Sequence, residues 1–266
     1  TIKQMDTNLG KVVLVKDINF GFYQGFSDNN DSQYANSIDP EGSSPSNLVE
    51  FKDKLYFTAN DGETGLELFV SDGTAKGTQL LVDLLPGDIA NSYDYGSPDN
   101  FIECNGKLYF RANDGETGRE LFVSDGTAEG TQLLVDLLPG EGNYGYNYGS
   151  PDNLVEFKDK LYFTANNGET GRELFVSDGT AEGTQLLVDL LPGKDNYGDN
   201  YSSFPDNMVE FNEKLYFSAN NGETGRELFV SDGTAEGTQL LADLRPGDDN
   251  YGYSHDSYPD NLVECN

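Results

Sequence analysis

Tryptophan is absent from this 266-residue chain, histidine occurs once, as His255, and cysteine twice, as Cys104 and Cys265. Two cysteines make no disulfide framework, and a single histidine cannot supply a recurring catalytic or metal-ligating set. Basic residues are scarce: 16 Lys and Arg stand against 47 Asp and Glu, a formal net charge of −31. Nucleic acid and anionic lipid are bound through basic patches, so neither is an expected partner. No apolar run approaches the roughly 18 residues of a membrane-spanning helix, and no membrane span is expected. No secretory leader is read at the amino terminus, and Thr1 leaves a processed chain as the expectation. Hydrophobic residues make up 36%, which suits many thin layers better than one thick core.

What the chain has instead is glycine (31), phenylalanine and tyrosine (16 each), and an internal repeat. The segment beginning Leu-Tyr-Phe and ending Gly-Glu-Thr-Gly starts at Leu55, Leu108, Leu161 and Leu215, at spacings of 53, 53 and 54 residues. Each copy runs on through Glu-Leu-Phe-Val-Ser-Asp-Gly-Thr and Gly-Thr-Gln-Leu-Leu to a Pro-Gly, a variable loop and Pro-Asp-Asn. One unit reads as four strands: Leu154–Phe157, Leu161–Ala165, Glu173–Val176 and Gln185–Leu190. Asn167-Gly168 and Asp178-Gly179 are tight-turn signals, because Gly and Asn accept positive φ. Four antiparallel strands in about 53 residues predict an all-β chain, a β-propeller of four-stranded blades, four or five in number. The repeats fall at about 48–100, 101–153, 154–207 and 208–261 of a single repeat domain, with a split terminal unit from 1–47 and 262–266. The chain starts on a spare fourth strand, Val12 to Asp17, and stops on a spare first strand near Leu262. Closure through these ends, or pairing of them with a neighbouring chain, are both open.

The motif Glu-Leu-Phe-Val-Ser-Asp-Gly-Thr with its downstream Gly-Thr resembles the ELWxxDGT repeat of bacterial secreted and surface proteins. Phe69, Phe122, Phe175 and Phe229 stand where that repeat has Trp, and Val15–Asn19 is similar to its fourth strand. The resemblance covers nearly the whole chain and implies a secreted or cell-surface repeat array, without implying one activity.

The variable loops are Asp88 to Asp99, Glu141 to Asp152, Lys194 to Asp206 and Asp248 to Asp260, with a longer one from Phe20 to Asn47. Their Tyr, Asn, Gly and Ser are the parts of an adaptable recognition surface, and of a sugar site. Candidate ligand residues are Tyr93, Tyr95, Tyr144, Tyr146, Tyr148, Tyr197, Tyr201, Tyr251 and Tyr253. Packing of these rings on neighbouring blades is the plainer alternative. Asp99, Asp152, Asp206 and Asp260 precede the innermost strand, and Glu103, Glu156, Glu210 and Glu264 lie within it. Carboxylates converging on an axis call for a bound cation, and Ca²⁺ at the four aspartates is the expected cofactor. Ser46 replaces Asp in the first copy.

Glu67, Glu120, Glu173 and Glu227 sit in the third strand beside Arg119, Arg172 and Arg226, and read as inter-blade ion pairs. Asp72, Asp125, Asp178 and Asp232 read as turn caps. Cys104 and Cys265, at equivalent positions, are free thiols or disulfide partners. No nucleophile–base pair recurs, so no catalysis is expected. The function expected is a multivalent, calcium-assisted lectin or adhesin for glycans or cell-surface polysaccharide. The alternative is a structural surface or matrix protein that self-assembles, a homo-oligomer joined through its terminal strands.

Overall fold

The computed structural model describes residues 2–6, 11–18, 42–86, 96–139, 149–247 and 254–262. The architecture is all-β and of the β-propeller kind, and the described residues form four blades of four antiparallel strands each. A hairpin, β1 (Ile2–Asp6) and β2 (Lys11–Lys16), precedes them. The first blade is β3 (Ser46–Phe51), β4 (Lys54–Asn60), β5 (Leu66–Ser71) and β6 (Gln79–Val82). The second is β7 (Asp99–Cys104), β8 (Lys107–Asn113), β9 (Arg119–Ser124) and β10 (Gln132–Val135). The third is β11 (Asp152–Phe157), β12 (Lys160–Asn166), β13 (Arg172–Ser177) and β14 (Gln185–Val188). The fourth is β15 (Asp206–Phe211), β16 (Lys214–Asn220), β17 (Arg226–Ser231) and β18 (Gln239–Ala242). The strands expected from the sequence are present, with the fourth ending at Val188 rather than Leu190. The chain divides into two compact units, Thr1–Asp99 with Ala112–Gly115, and Asn100–Arg111 with Glu116–Asn266.

Within a blade the second and third strands pair without a break, from Leu161↔Ser177 to Asn166↔Arg172. The first strand slips register between Asp152 and Val155. Asn153 causes the slip: it holds φ +54, a left-handed conformation that Asn tolerates better than most residues. Asn47, Asn100, Asn207 and Asn261 repeat it, which is the structural reason for Pro-Asp-Asn in the repeat. The middle strands are buried along almost their whole length, so they read as continuous apolar runs rather than as alternation. The Phe of Glu-Leu-Phe-Val stacks across strands on the Phe of Leu-Tyr-Phe: Phe57–Phe69 at 5.9 Å, Phe163–Phe175 at 5.8 Å, Phe217–Phe229 at 5.8 Å.

In the second unit each blade passes its last apolar residue to the next. Leu137, just beyond β10, packs with Leu161, Phe163 and Ala165 of the third blade. Leu190 is packed likewise against the cluster of Leu215, Phe217 and Ala219.

The amino-terminal hairpin corrects the sequence reading of a lone spare fourth strand. β2 is paired with β1, and their register has the break seen between third and fourth strands elsewhere. Ile2↔Lys16 is followed by Lys3↔Leu14, as Leu68↔Val82 is followed by Phe69↔Leu80. The hairpin therefore matches the outer half of a blade. Among the described residues β1 pairs with β2 alone. Ile18 follows β2 as Leu84 follows β6, and packs on Phe57, Ala59 and Phe69 of the first blade. Ile18→Ala is expected to lower the unfolding free energy by about 2–5 kcal/mol in urea titrations. A change under about 0.5 kcal/mol would mean that the hairpin tail is not part of the first blade's core. At the other end, residues 260–262 form no strand, and the rest of the predicted spare first strand lies outside the described residues.

Candidate functional site

Among the described residues the third-strand glutamates Glu67, Glu173 and Glu227 turn to main-chain groups rather than to the inter-blade arginines expected from the sequence. Glu67, Glu120, Glu173 and Glu227 are fully buried, because inward-facing third-strand positions lie between packed strands. Each carboxylate accepts main-chain N–H groups from both ends of the variable loop that follows it. Glu173 Oε2 takes Leu190 N at 3.0 Å, and Oε1 takes Ser203 N at 2.7 Å. Glu67 takes Leu84 N (2.9 Å) and Gly96 N (3.2 Å), and Glu120 takes Leu137 N (3.1 Å) and Gly149 N (2.7 Å). Glu227 takes Leu244 N (2.9 Å) and Ser257 N (3.1 Å). One carboxylate thus clamps each loop at its base, satisfying donors that burial would otherwise orphan.

In the third and fourth copies the clamp gains a hydroxyl, from Ser203 and Ser257, each 2.5 Å from Oε2. Gly149 has no room for one, since a Cβ there would meet Glu120 Oε2 at 2.4 Å and Leu137 Cβ at 2.7 Å. Burial raises the carboxyls of Glu67 and Glu173 from the usual carboxylate range to about 7, against the lowering effect of the N–H bonds.

The clamp fixes the residue that comes next, and here the copies diverge. Ser97 and Ser150 occupy this position with φ +41 and +43, and Phe204 and Tyr258 with φ +48 each. The left-handed turn belongs to every copy, and it is costlier for the two aromatics than for the serines. Both rings are exposed, Phe204 at 54% and Tyr258 at 65%. The Asp256 carboxylate beside the Tyr258 hydroxyl holds its pKa above the usual value.

These rings stand at a cleft of about 650 Å³ in the second unit, lined also by Arg111, Asp152, Asn153, Thr164, Arg172, Pro205, Asp206 and Arg226. Arg226 is tied down: Nη1 donates to Phe204 O at 2.8 Å, Nη2 to Ser218 Oγ at 2.9 Å, and Nη2 lies 3.6 Å from Asp206 Oδ2. Arg111 Nη1 lies 3.8 Å from Asp152 Oδ2, and Asp152 Oδ1 accepts from Asn100 Nδ2 at 2.7 Å. Thr164 Oγ1 donates to Pro205 O at 2.6 Å. Burial pushes the Arg172 guanidinium below its usual pKa, Asp152 acts against that shift, and Arg111 adds to it. The cleft therefore offers aromatic faces, an amide, and separate donors and acceptors of hydrogen bonds.

Of the four aspartates assigned to Ca²⁺, Asp152 and Asp206 line this cleft, each beside a guanidinium. Asp99 is half-buried at the start of β7, and Asp260 is exposed, accepting from Asn261 N. Among the described residues no three of His, Cys, Asp and Glu come together as a metal-binding group. Glu156 Oε1 accepts Asp159 N at 2.9 Å, closing the turn after β11. The turn-capping role read for Asp178 is present, with Thr180 N and Oγ1 both donating to its Oδ1.

Two of the candidate tyrosines are described. Tyr197 is 91% exposed on a loop braced by Asp195 Oδ1, which accepts Tyr197 N and Asp199 N; Tyr201 is 43% exposed. Neither lines the cleft. Tyr93, Tyr95, Tyr144, Tyr146, Tyr148, Tyr251 and Tyr253 lie outside the described residues, as does Cys265. Cys104 is a free thiol, buried in the core with Tyr109 and Leu121, and burial pushes it up to about 11.

The residues that the sequence reading passed over are Arg111, Phe204 and Tyr258. The signal was available as departures from the repeat. Arg111 stands where other copies have Thr58, Thr164 and Ser218, and Phe204 and Tyr258 stand where others have Ser97 and Ser150.

No protein-family model matches the chain, and no curated protein matches it. Among solved structures it is similar to a computationally designed protein, at 18% identity and a TM-score of 0.39, covering 84% of this chain and 55% of that one. It is also similar to a putative exo-beta-1,3-galactanase from Bifidobacterium bifidum, at 14% identity and a TM-score of 0.36, covering 84% and 76%. A third is puromycin hydrolase, at 15% identity and a TM-score of 0.45, covering 73% and 28%. The chain thus spans about half the length of the designed protein and about a quarter of the hydrolase. Likenesses this shallow leave the activity to be argued from the chain's own residues.

Proposed function

We propose that this chain is a non-enzymatic carbohydrate-binding protein whose sugar site is the cleft of the second unit. The observation that supports this most is the pair of exposed aromatic rings, Phe204 and Tyr258, held on left-handed backbone at that cleft. A pyranose presents an apolar C–H face and a rim of hydroxyls. An aromatic face takes the first, and fixed polar groups take the second. Asn153, Asp152, Asp206 and the arginines supply the polar groups, and the glutamate clamps hold the rims still, which limits the entropy lost on binding. The one histidine, His255, is not among the cleft residues, and the repeats otherwise differ little.

A glycan array on the full chain, run with Ca²⁺ and with EDTA, tests the reading and its calcium dependence together. Phe204→Ala and Tyr258→Ala are each expected to weaken binding about tenfold, the loss of one ring contact. Tyr197→Ala separates the cleft from the loops. Binding lost in that variant and kept in the other two would move the site to the loop tyrosines. Silence of the folded protein towards every glycan would sink the reading.

A further inference from the structure

We propose, resting on the carbohydrate reading above, that the ligand is an acidic sugar whose carboxylate is taken by Arg172 with Arg111 beside it. Arg172 and Arg226 are equivalent residues of successive repeats, and their surroundings differ. Arg226 spends its donors on Phe204 O, Ser218 Oγ and Asp206. Arg172 has Thr164 where Arg226 has Ser218, and the Thr164 hydroxyl lies against Pro205 O instead. Among the described residues the Arg172 side chain makes no hydrogen bond and no ion pair within 4.0 Å. It is nevertheless half-buried on the wall of the cleft. Asp152 acts on this guanidinium only at a distance. A guanidinium partly removed from water without a hydrogen-bonded partner is costly, and an incoming carboxylate repays that cost with two parallel N–H···O bonds.

The local charge agrees. The cleft gathers three guanidiniums, Arg111, Arg172 and Arg226, against two carboxylates, Asp152 and Asp206. That is a cluster of cationic groups in a chain carrying −31, with the Asp256 carboxylate adjoining it on the Arg226 main chain. One of the three, Arg111, is an addition to the repeat pattern, placed on β8 where the other copies have Thr or Ser. The surrounding acids decide what kind of acidic ligand is accepted. At physiological ionic strength the Debye length is about 8 Å, so a carboxylate seated between Arg111 and Arg172 is shielded from the remote surface. A polymer with a charge on every residue would run out over that surface and be repelled. A single uronic acid flanked by neutral sugars meets both conditions.

The test is calorimetric titration of the full chain with glucuronate- and galacturonate-terminated oligosaccharides, each paired with its carboxyl-reduced form, in which CH₂OH replaces the carboxylate. The acid forms are expected to bind about 30-fold tighter or better, the scale of losing a desolvated charge partner. Arg172→Gln is expected to remove that preference, and Arg111→Thr, which restores the residue found at Thr58 and Thr164, to reduce it. Equal binding of acid and reduced forms by the wild type would overturn the acidic class while leaving the carbohydrate reading in place. Binding of neither form, by protein with an unchanged melting profile, would overturn both. A full preference surviving in Arg172→Gln or in Arg111→Thr would overturn the assignment to these residues.

Discussion

Glu173→Ala is expected to lower the unfolding free energy by about 3–5 kcal/mol, measured by urea titration at pH 6. The carboxyl is fully buried and accepts Leu190 N, Ser203 N and the Ser203 hydroxyl. Alanine removes all three acceptor contacts and leaves a cavity. Each buried donor left unmade costs about 1–3 kcal/mol, and relaxation recovers part of the sum. Glu182→Ala is the control, an exposed glutamate of the same copy, with an expected change within about 0.5 kcal/mol. Equal effects at the two positions would show that the clamp contributes nothing particular. The consequence reaches the binding site, because the same carboxyl sets the base of the loop from which Phe204 projects. A clamp variant that still folds is therefore expected to bind glycan more weakly, although Glu173 does not line the cleft.

The second large effect is a stability that increases on acidification from pH 8 to about pH 5. The carboxyls of Glu67 and Glu173 are raised from 4.5 in the unfolded chain to about 7 in the folded one. The folded state therefore holds more protons than the unfolded state between those values. Stability from these groups is fully present below about pH 4.5, is lost as pH rises through about 7, and is absent above it. A shift of this size corresponds to roughly 3 kcal/mol per carboxyl across the window, at about 1.4 kcal/mol per unit. Relief of repulsion among the 47 acidic side chains acts in the same direction. The clamps are isolated by comparing the wild type with the Glu67→Gln, Glu173→Gln double variant across pH 5 to 8. The double variant is expected to show the shallower slope, and parallel curves would mean that neither carboxyl titrates with folding.

Local chemistry decides most of the blade, which is why four strands per 53-residue unit were legible in the residues alone. The Leu-Tyr-Phe and Glu-Leu-Phe-Val runs are β-forming and apolar. Asn167-Gly168 and Asp178-Gly179 permit the positive φ that their turns need, and Pro-Asp-Asn carries the left-handed Asn153 that opens each blade. Repetition multiplied that signal fourfold. The hairpin β1–β2 was harder to read, because Lys3 and Gln4 stand where the other copies have Phe69 and Val70. Its register repeats the blade pattern although its residues do not.

Partnership between distant residues was not legible. The third-strand Glu and Arg, as in Arg172-Glu173, read as members of inter-blade ion pairs, but neighbours in a strand point to opposite faces and meet different partners. Glu173 turned inward to the loop ends 17 and 30 residues away, and Arg172 turned to the cleft. The four aspartates shared a sequence position, which suggested a common cation. In the fold Asp152 meets Arg111, from the preceding repeat's β8, a neighbour that no spacing announces. Strands, turns and repeat were readable from the residues, since these features depend on side chains close along the chain. Which side chains share the cleft and which carboxyls are buried emerged with the fold, since both depend on how successive blades stack.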